Sequence, residues 1–508
     1  MNFQTKKFEN ITDYIYGLIS IPNQYTQFLN SFYVQRLRNI LQCPTAKYVF
    51  PSVNHSCFEH AIGTYFLSNK LITDLKNRQK DLDINQTLIN TISLCGLFNN
   101  IGTIPFINSF RIFYKEKYNK EFDMKQKCFD VIENLINSKG IDPECINNKN
   151  DDENFDLNII KNIFTKSNNY SKFYEKILFN PKTGIDCESF DNLTRDTYKF
   201  GDNKPPFDYN ILMNSAHIIN DEICYNYENS FSICDYYNSK YIITNKYYKH
   251  RVSIAIDLMI ADVYKLIDNV TPIEDIINNN DRYINFFDSF IHNIKYNEKD
   301  NPYIKKAKSI LNNIDTRNLY TSIGDYYLSD KEPLFNLGEF DKFNANTLIE
   351  NSDKTDVELN PDEIRIKKDV FYLGSGNNDP FNDILFYDND YNTLKIKVEE
   401  VSKLLPKRFK SQVIRVYLTN KDKDKIKAAQ NALNNYTGKY KGYTQLHKSE
   451  QNTNIGQDIV NRFGIEDALL FNINKDDNNN NKGPKLGKKR GAEKGYNDFH
   501  EQLSKKKK

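Results

Sequence analysis

The chain has no tryptophan, no two cysteines closer than ten residues, and no run of eighteen apolar residues. Each absence closes off a class. The eight cysteines, at 43, 57, 95, 128, 145, 187, 224 and 234, cannot form a Cys-x-x-Cys metal or redox pair, so reduced and mostly buried thiols are expected. Without a long apolar run, and with an N-terminus (MNFQTKKFENITDYIYGL) that lacks a sustained apolar core, the sequence predicts neither a membrane span nor a secretory signal. An intracellular protein with no membrane partner follows as the expectation. There is also no Gly-rich phosphate loop of the Walker or Rossmann kind, so any nucleotide must be held by another device.

What is present suffices for a folded core: of 508 residues, 39% are hydrophobic and 13% aromatic, all Phe and Tyr, too many for a disordered chain. Net charge is +2, but residues 482–508 hold ten Lys or Arg against three acids, leaving −5 to the rest. The basic character sits in the tail. GKKRGAEK and the terminal KKKK read as a nuclear import signal, with a nucleic-acid contact arm or a merely solvated terminus as alternatives; the nucleus is favoured over the cytoplasm.

Periodicity divides the remainder. Residues 1–320 read as mostly helical, with stripes such as Leu88, Ile92 and Cys95, or Val252, Ile256, Met259, Ile260, Val263 and Ile267, each facing a core. Residues 321–450 change character. Short apolar runs at Ile384–Tyr387, Leu394–Val398 and Val413–Leu418 predict strands, and KDKDKIKAAQNALNN predicts a helix, which together make a small α+β lobe. Between the two, residues 338–366 are polar and weakly periodic and read as a linker or surface excursion. Residues 451–508 are polar and basic, and disorder is expected for most of them.

Three blocks carry chemistry: HSCFEHAIGTYFL, then GLFNNIGTIPF some forty residues on, then NPKTGIDCESFDNLTRDTYKFG. A histidine alone is more often a satisfied core residue than a ligand. In this order, flanked by QRLRNILQ, KYVFPSVNHS and YYKHRVSIAIDLMIADVY, the blocks resemble the metal-site segments of the HD-domain deoxynucleoside triphosphate (dNTP) triphosphohydrolases. NDPFNDILFY and VSKLLPKRFKSQVIRVY are similar to the regulatory lobe of the animal members that join a sterile-alpha-motif domain to the HD domain, a domain not expected here. The resemblance implies a mainly α fold, with an HD-type helical core, a small α+β C-terminal regulatory lobe and a disordered basic tail. It also implies a reaction, attack of a metal-activated water on a dNTP that releases deoxynucleoside and intact triphosphate.

The positions that the resemblance assigns to the metal are His60, Asn99, Asn100 and Glu188, where the family has His, a consecutive His-Asp pair and Asp. No His-Asp dipeptide occurs anywhere in the chain. Amide oxygens carry no charge and are weak ligands for transition metals, so affinity and water activation should both fall. Family histidines beyond the metal fall at Thr103, Asn108 and Met124, and phosphate-holding Arg, Lys and Tyr fall at Cys57, Ser189 and Asn192. Implied deoxyribose contacts survive at Gln42, Asp196 and Tyr248, and Lys240 keeps a basic residue near the phosphates; retention for packing alone is the alternative.

For the regulatory nucleotide sites, Gln35 and Arg38 match a guanine-reading pair and Val49, Phe50, His250 and Arg251 match a neighbouring dNTP site. Asn30, Thr12, Ile211 and Asn226 depart from that pattern. The expectation is therefore a dNTP triphosphohydrolase-like protein, catalytically inactive or impaired and without a tightly bound cofactor, acting through dNTP or GTP sensing, as a homo-oligomer, or in assembly with an active relative. One alternative is an enzyme that recruits Fe, Mn or Zn with Mg through His60, Glu188 and a neighbouring acid, Asp186 or Asp191. The other is a nucleic-acid-binding protein on an HD scaffold.

Overall fold

The structure is a computed structural model that describes residues 8–446 apart from 139–140, 142–154, 167–169, 203–206, 329–336, 354–356, 375–378, 403–408 and 440–442. The tail at 451–508, with its import and nucleic-acid readings, lies outside the described residues.

The molecule is mainly helical. After a hairpin of β1 (Phe8–Asp13) and β2 (Gly17–Pro22) come α1 (Cys57–Arg78), α2 (Gln86–Phe98), α3 (Ile107–Tyr118) and α4 (Met124–Ile136). They are followed by α5 (Cys187–Lys199), α6 (Ser230–Ile243), α7 (Arg251–Asp268) and α8 (Pro302–Asp315). The start of α1 is fixed by Ser56 and Glu59: the Glu59 amide donates to Ser56 Oγ at 3.3 Å and the Ser56 amide to Glu59 Oε2 at 2.6 Å, which satisfies two otherwise orphaned donors. On α2, Leu88, Ile92 and Cys95 are buried, and on α7 so are Ile256, Met259, Ile260, Val263 and Ile267, with Val252 half-buried. The periodic stripes thus face the core. Gly96 brings α1 and α2 together, because a Cβ there would stand 2.6 Å from the Thr64 carbonyl oxygen. This close approach puts Asn99, the C-cap of α2, within reach of α1.

Two four-stranded sheets complete the described chain. The first, β5 (Thr321–Tyr327), β6 (Ile364–Tyr372), β9 (Lys410–Leu418) and β10 (Tyr443–Leu446), runs antiparallel in the order β10-β5-β9-β6. The second orders β3 (Ala216–Ile219), β4 (Glu222–Asn226), β7 (Leu385–Tyr387) and β8 (Thr393–Leu394) as β3-β4-β7-β8. Its parallel β4–β7 pair joins Cys224–Asn226 to Leu385–Tyr387. The lysine-rich helical segment is α9 (Lys423–Lys439).

The segment expected as a linker at 338–366 instead carries two short helices, Leu337–Lys342 and Ala345–Glu350. It supplies Phe340, Phe343, Leu348, Leu359 and Ile364 to a small core with Ile414, Val416 and Leu433. Its apolar residues are isolated in a polar background, so no stripe marks them. The run Leu394–Val398 also divides, between β8 and a helical turn at Val398–Val401. The main core extends past the helices to Phe371, Leu373, Phe381, Phe386 and Tyr417, and all of these lie in one compact unit, Met1–Ser449. No described helix is long and apolar enough to cross a membrane.

Two buried acids make this core sensitive to pH. Asp257 on α7 accepts from Ser109 Oγ on α3 at 2.8 Å, and Asp288 accepts from the Leu41 amide at 3.0 Å. Burial pushes each carboxyl up to about 6 against the opposing pull of those hydrogen bonds. An unfolded Asp titrates near ~3.9, so the folded state holds more protons between about 4 and 6, and stability from each group falls as pH rises through that window. At pH 7 the ionised Asp257 costs about 3 kcal/mol on this basis. Asp257→Asn should remove the penalty: in urea unfolding, the variant should gain on the parent by roughly that amount between pH 4 and pH 7. A stability difference that stays flat with pH would refute the assignment.

Candidate functional site

Helices α1, α2 and α5 converge on His60, which is fully buried. Its Nδ1 stands 2.7 Å from Asp191 Oδ2, and its Nε2 stands 2.8 Å from the Asn99 side-chain nitrogen. With Nδ1–H donated to the carboxylate, Nε2 is left as the acceptor and Asn99 as its donor. Asp191 is held in place by Arg195, one turn along α5, whose Nε and Nη2 each donate at 2.9 Å while Nη1 donates to Asp13 of β1 at 2.8 Å. Burial alone would raise the Asp191 carboxyl, but Arg195 and the His60 hydrogen bond outweigh it and hold it well below the usual carboxylate range.

A second network lines the other wall. Asn100 Nδ2 donates to Gln42 Oε1 at 3.4 Å, Gln42 Nε2 to Asn192 Oδ1 at 2.8 Å, and Asn192 Nδ2 to Glu188. Burial, and then neighbouring Asp186, push the Glu188 carboxyl up. Asp186 is itself raised by burial and is the N-cap of α5, accepting from the Asn180 and Ser189 amides at 2.8 Å each. Lys240 Nζ lies against Gly184, where a Cβ would stand 2.9 Å from it.

A third cluster lies two turns along α5 from Glu188. Asp196 Oδ1 pairs with His55 Nε2 at 2.6 Å, while its Oδ2 accepts from Tyr248 and from Cys43 Sγ, the latter at 3.6 Å. A single turn of π-helix over Thr244–Tyr248 carries the tyrosine; such turns insert one residue and re-aim side chains.

No protein-family model matches the chain. Individual proteins do: it is 26% identical over 435 residues to the deoxynucleoside triphosphate triphosphohydrolase SAMHD1 homolog of Dictyostelium discoideum, across 83% of this chain and 81% of that one. Against deoxynucleoside triphosphate triphosphohydrolase SAMHD1 of Xenopus laevis it is 26% identical over 462 residues, 82% of this chain and 72% of the relative. The chain resembles the HD-domain dNTP triphosphohydrolases. An HD domain-containing protein of Acanthamoeba polyphaga mimivirus is likewise 27% identical over 400 residues, 74% of this chain and 84% of that one.

The four positions that the resemblance assigns to the metal are linked in space through hydrogen bonds. Asn99 presents an N–H to the nitrogen that would bind the ion, Asn100 is engaged with Gln42, and Glu188 is bonded to Asn192 and held toward its neutral form. The two amides carry no charge to set against that of an ion, whereas Glu188 can when ionised. Among the described residues the one group of three or more His, Cys, Asp or Glu with ligand atoms within 4.8 Å of one another is Cys43, His55 and Asp196, and it includes none of His60, Asp186, Glu188 or Asp191.

Other expected positions are scattered. Cys57 is buried at the start of α1, Thr103 is buried with its carbonyl accepting from Arg36 at 2.6 Å, Met124 opens α4, and Asn108 is exposed. Ser189 Oγ lies 3.4 Å from Glu188 Oε2. In QRLR, Arg38 Nε donates to Gln35 Oε1 at 2.7 Å and its guanidinium covers the Phe58 ring at 3.6 Å; Gln35 also donates to the Leu29 carbonyl at 2.8 Å. Asn30 ends the helix Asn23–Leu29, and Thr12 is exposed on β1. Val49 and Phe50 are half-buried, the Phe50 ring meeting Phe200, Tyr247 and His250 edge-on. His250 caps α7, Arg251 begins it, Ile211 is exposed, and Asn226 caps the turn Tyr227–Asn229.

Sequence reading missed the roles of Asp13, Cys43, His55 and Arg195. Only the i, i+4 spacing of Asp191 and Arg195 is a local signal for any of them. Arg195→Met should expose how much they carry: it leaves Asp191 and Asp13 buried without their cation, and urea unfolding at pH 7 should show a loss of about 3–5 kcal/mol. A change below about 1 kcal/mol, the value of an exposed pair, would show that the network does not hold the site.

Proposed function

We propose that this chain keeps the scaffold of the HD-domain dNTP triphosphohydrolases without their hydrolysis, and acts by sensing nucleotide or by assembling with an active relative. One observation carries the reading, the Asn99 amide donating to His60 Nε2 at 2.8 Å. A hydrogen-bond donor takes the place of a Lewis acid: it satisfies the buried nitrogen and supplies no charge to lower the pKa of a water or to offset charge building on phosphate. Three further losses agree with it. Asn100 is neutral, Glu188 is drawn toward its acid form by burial, and buried Cys57 offers no phosphate clamp of the kind an arginine fork makes.

Nucleotide binding is the part of the reading supported by retained residues. Gln42, Asp196 and Tyr248 stand along the wall formed by α5 and the π-turn, and Lys240 adds a cation beside Gly184. Regulatory binding through Gln35, Arg38, Val49, Phe50, His250 and Arg251, oligomer formation, and nuclear import through the basic tail are the finer parts of the same proposal.

The test is a product assay on purified full-length protein, with each dNTP, GTP, and Mg, Mn and Fe supplied. Neither deoxynucleoside nor inorganic triphosphate should rise above a blank. Equal amounts of both products, abolished by a chelator, would overturn the proposal. A second expectation is that Asn99→His with Asn100→Asp remains silent in this assay, since Cys57, Thr103, Asn108 and Met124 are untouched; substantial turnover by that double variant would show that the two amides alone block catalysis.

A further inference from the structure

The polar cluster at the far end of α5 contains two residues, Cys43 and His55, that neither the fold nor the proposed function explains. It brings a thiol, an imidazole and a carboxylate together, with His55 and Asp196 about 1% exposed and Cys43 half-buried. His55 Nδ1 is buried and has no hydrogen-bond partner among the described residues. We propose that Cys43, His55 and Asp196 form a zinc site, separate from the positions at His60, Asn99, Asn100 and Glu188.

The donor chemistry selects the ion. One soft thiolate, one borderline imidazole and one carboxylate suit zinc far better than magnesium or calcium, which take oxygen shells. The geometry agrees for two of the three donors. Zinc bonds of about 2.3 Å to sulfur and ~2.0 Å to oxygen at a tetrahedral angle span about 3.5 Å between the two atoms, and Cys43 Sγ lies 3.6 Å from Asp196 Oδ2. His55 Nε2 is hydrogen-bonded at 2.6 Å to the other oxygen, Asp196 Oδ1, and must leave it to meet Cys43 Sγ and Oδ2 at the ion.

The proton balance gives the lone Nδ1 a role. In the metal-free form Nε2–H donates to Asp196, so Nδ1 carries a free lone pair. As zinc takes Nε2, that proton moves to Nδ1. The Cys43 S–H bond breaks, a Zn–S bond forms, and one proton leaves to solvent. Tyr248, donating to Asp196 Oδ2, orients the carboxylate from outside the coordination shell, a task usual for groups behind a metal ligand. Three protein donors leave a fourth position for water.

The consequence for the fold is a clasp. The Gln42 amide donates to the His55 carbonyl at 3.0 Å and Leu41 bridges Ser56, so Cys43 and His55 stand at the two ends of one loop whose mouth is already closed. A zinc ion would fasten that loop to α5. The zinc site stands whether or not the chain hydrolyses dNTPs, but it shares Asp196 and Tyr248 with the proposed nucleotide contacts, so zinc and nucleotide would compete for that carboxylate.

The experiment titrates zinc into full-length, metal-free protein against a chromophoric chelator, and repeats the titration with cobalt while recording the thiolate-to-metal charge-transfer absorption. The expected result is one ion per chain, a thiolate band in the parent, and loss of that band in Cys43→Ser with affinity down by at least about a hundredfold. The other cysteines serve as an internal control. No uptake in competition with a micromolar chelator overturns the proposal, as does a Cys43→Ser protein that keeps the stoichiometry and the band. Circular dichroism establishes that the variant is folded. Should it not be, Asp196→Asn, which retains side-chain partners for His55 and Tyr248, takes its place and must weaken zinc binding at least about tenfold; undiminished affinity overturns the proposal equally.

Discussion

The buried polar network around His60 hangs on one cation, Arg195. Arg195 holds both oxygens of Asp191 and one of Asp13, and Asp191 in turn holds His60. The planar fork of the guanidinium suits this task, since it can satisfy two carboxylates at fixed angles at once. Through these four residues the N-terminal hairpin, α1 and α5 share a single polar joint, and Asn99 attaches α2 to it. Such a joint is strong only while complete, because each charge in it is buried and depends on its neighbour.

This arrangement holds the three helices together through side chains of the chain itself. His60 is oriented by Asp191, so its ring needs no ion to fix it. Its second nitrogen does need a partner, and a buried imidazole acceptor left bare would cost about 1–3 kcal/mol. Asn99 provides that partner at the end of α2, where Gly96 allows the two helices to touch. Helix α5 meanwhile serves two faces. Glu188, Asn192 and Asp196, spaced by four, face Gln42 and His55, while Asp191 and Arg195 turn to the joint.

How much of this could be seen in the sequence depended on the range of the interaction. The stripes of α2 and α7 were legible because burial repeats every turn. The helices at Leu337–Lys342 and Ala345–Glu350 were not, since single residues such as Phe343 and Leu348 reach a core made by strands elsewhere. For the site, His60, Asn99, Asn100 and Glu188 were located by the order of their blocks. What their side chains do was hidden: that Asn99 turns its N–H to His60, and that Asp13 reaches Arg195 across 182 residues, are facts of tertiary packing with no local pattern. The pairing of His55 with Asp196 is of the same kind, as its 141-residue separation shows.

The parallel pairing of β4 with β7 has a bearing on how the chain is made. Cys224–Asn226 must wait for Leu385–Tyr387, roughly 160 residues later, which at ribosomal speeds of about 5–20 residues per second is on the order of 8–30 s. For that interval a nascent chain that has already closed the β3–β4 hairpin presents an open edge with Cys224 and Tyr225 upon it, and unpaired edges of this kind are templates for wrong partners. The helical half therefore leaves the ribosome before its own sheet is finished, and its safe completion is a matter of timing as much as of stability.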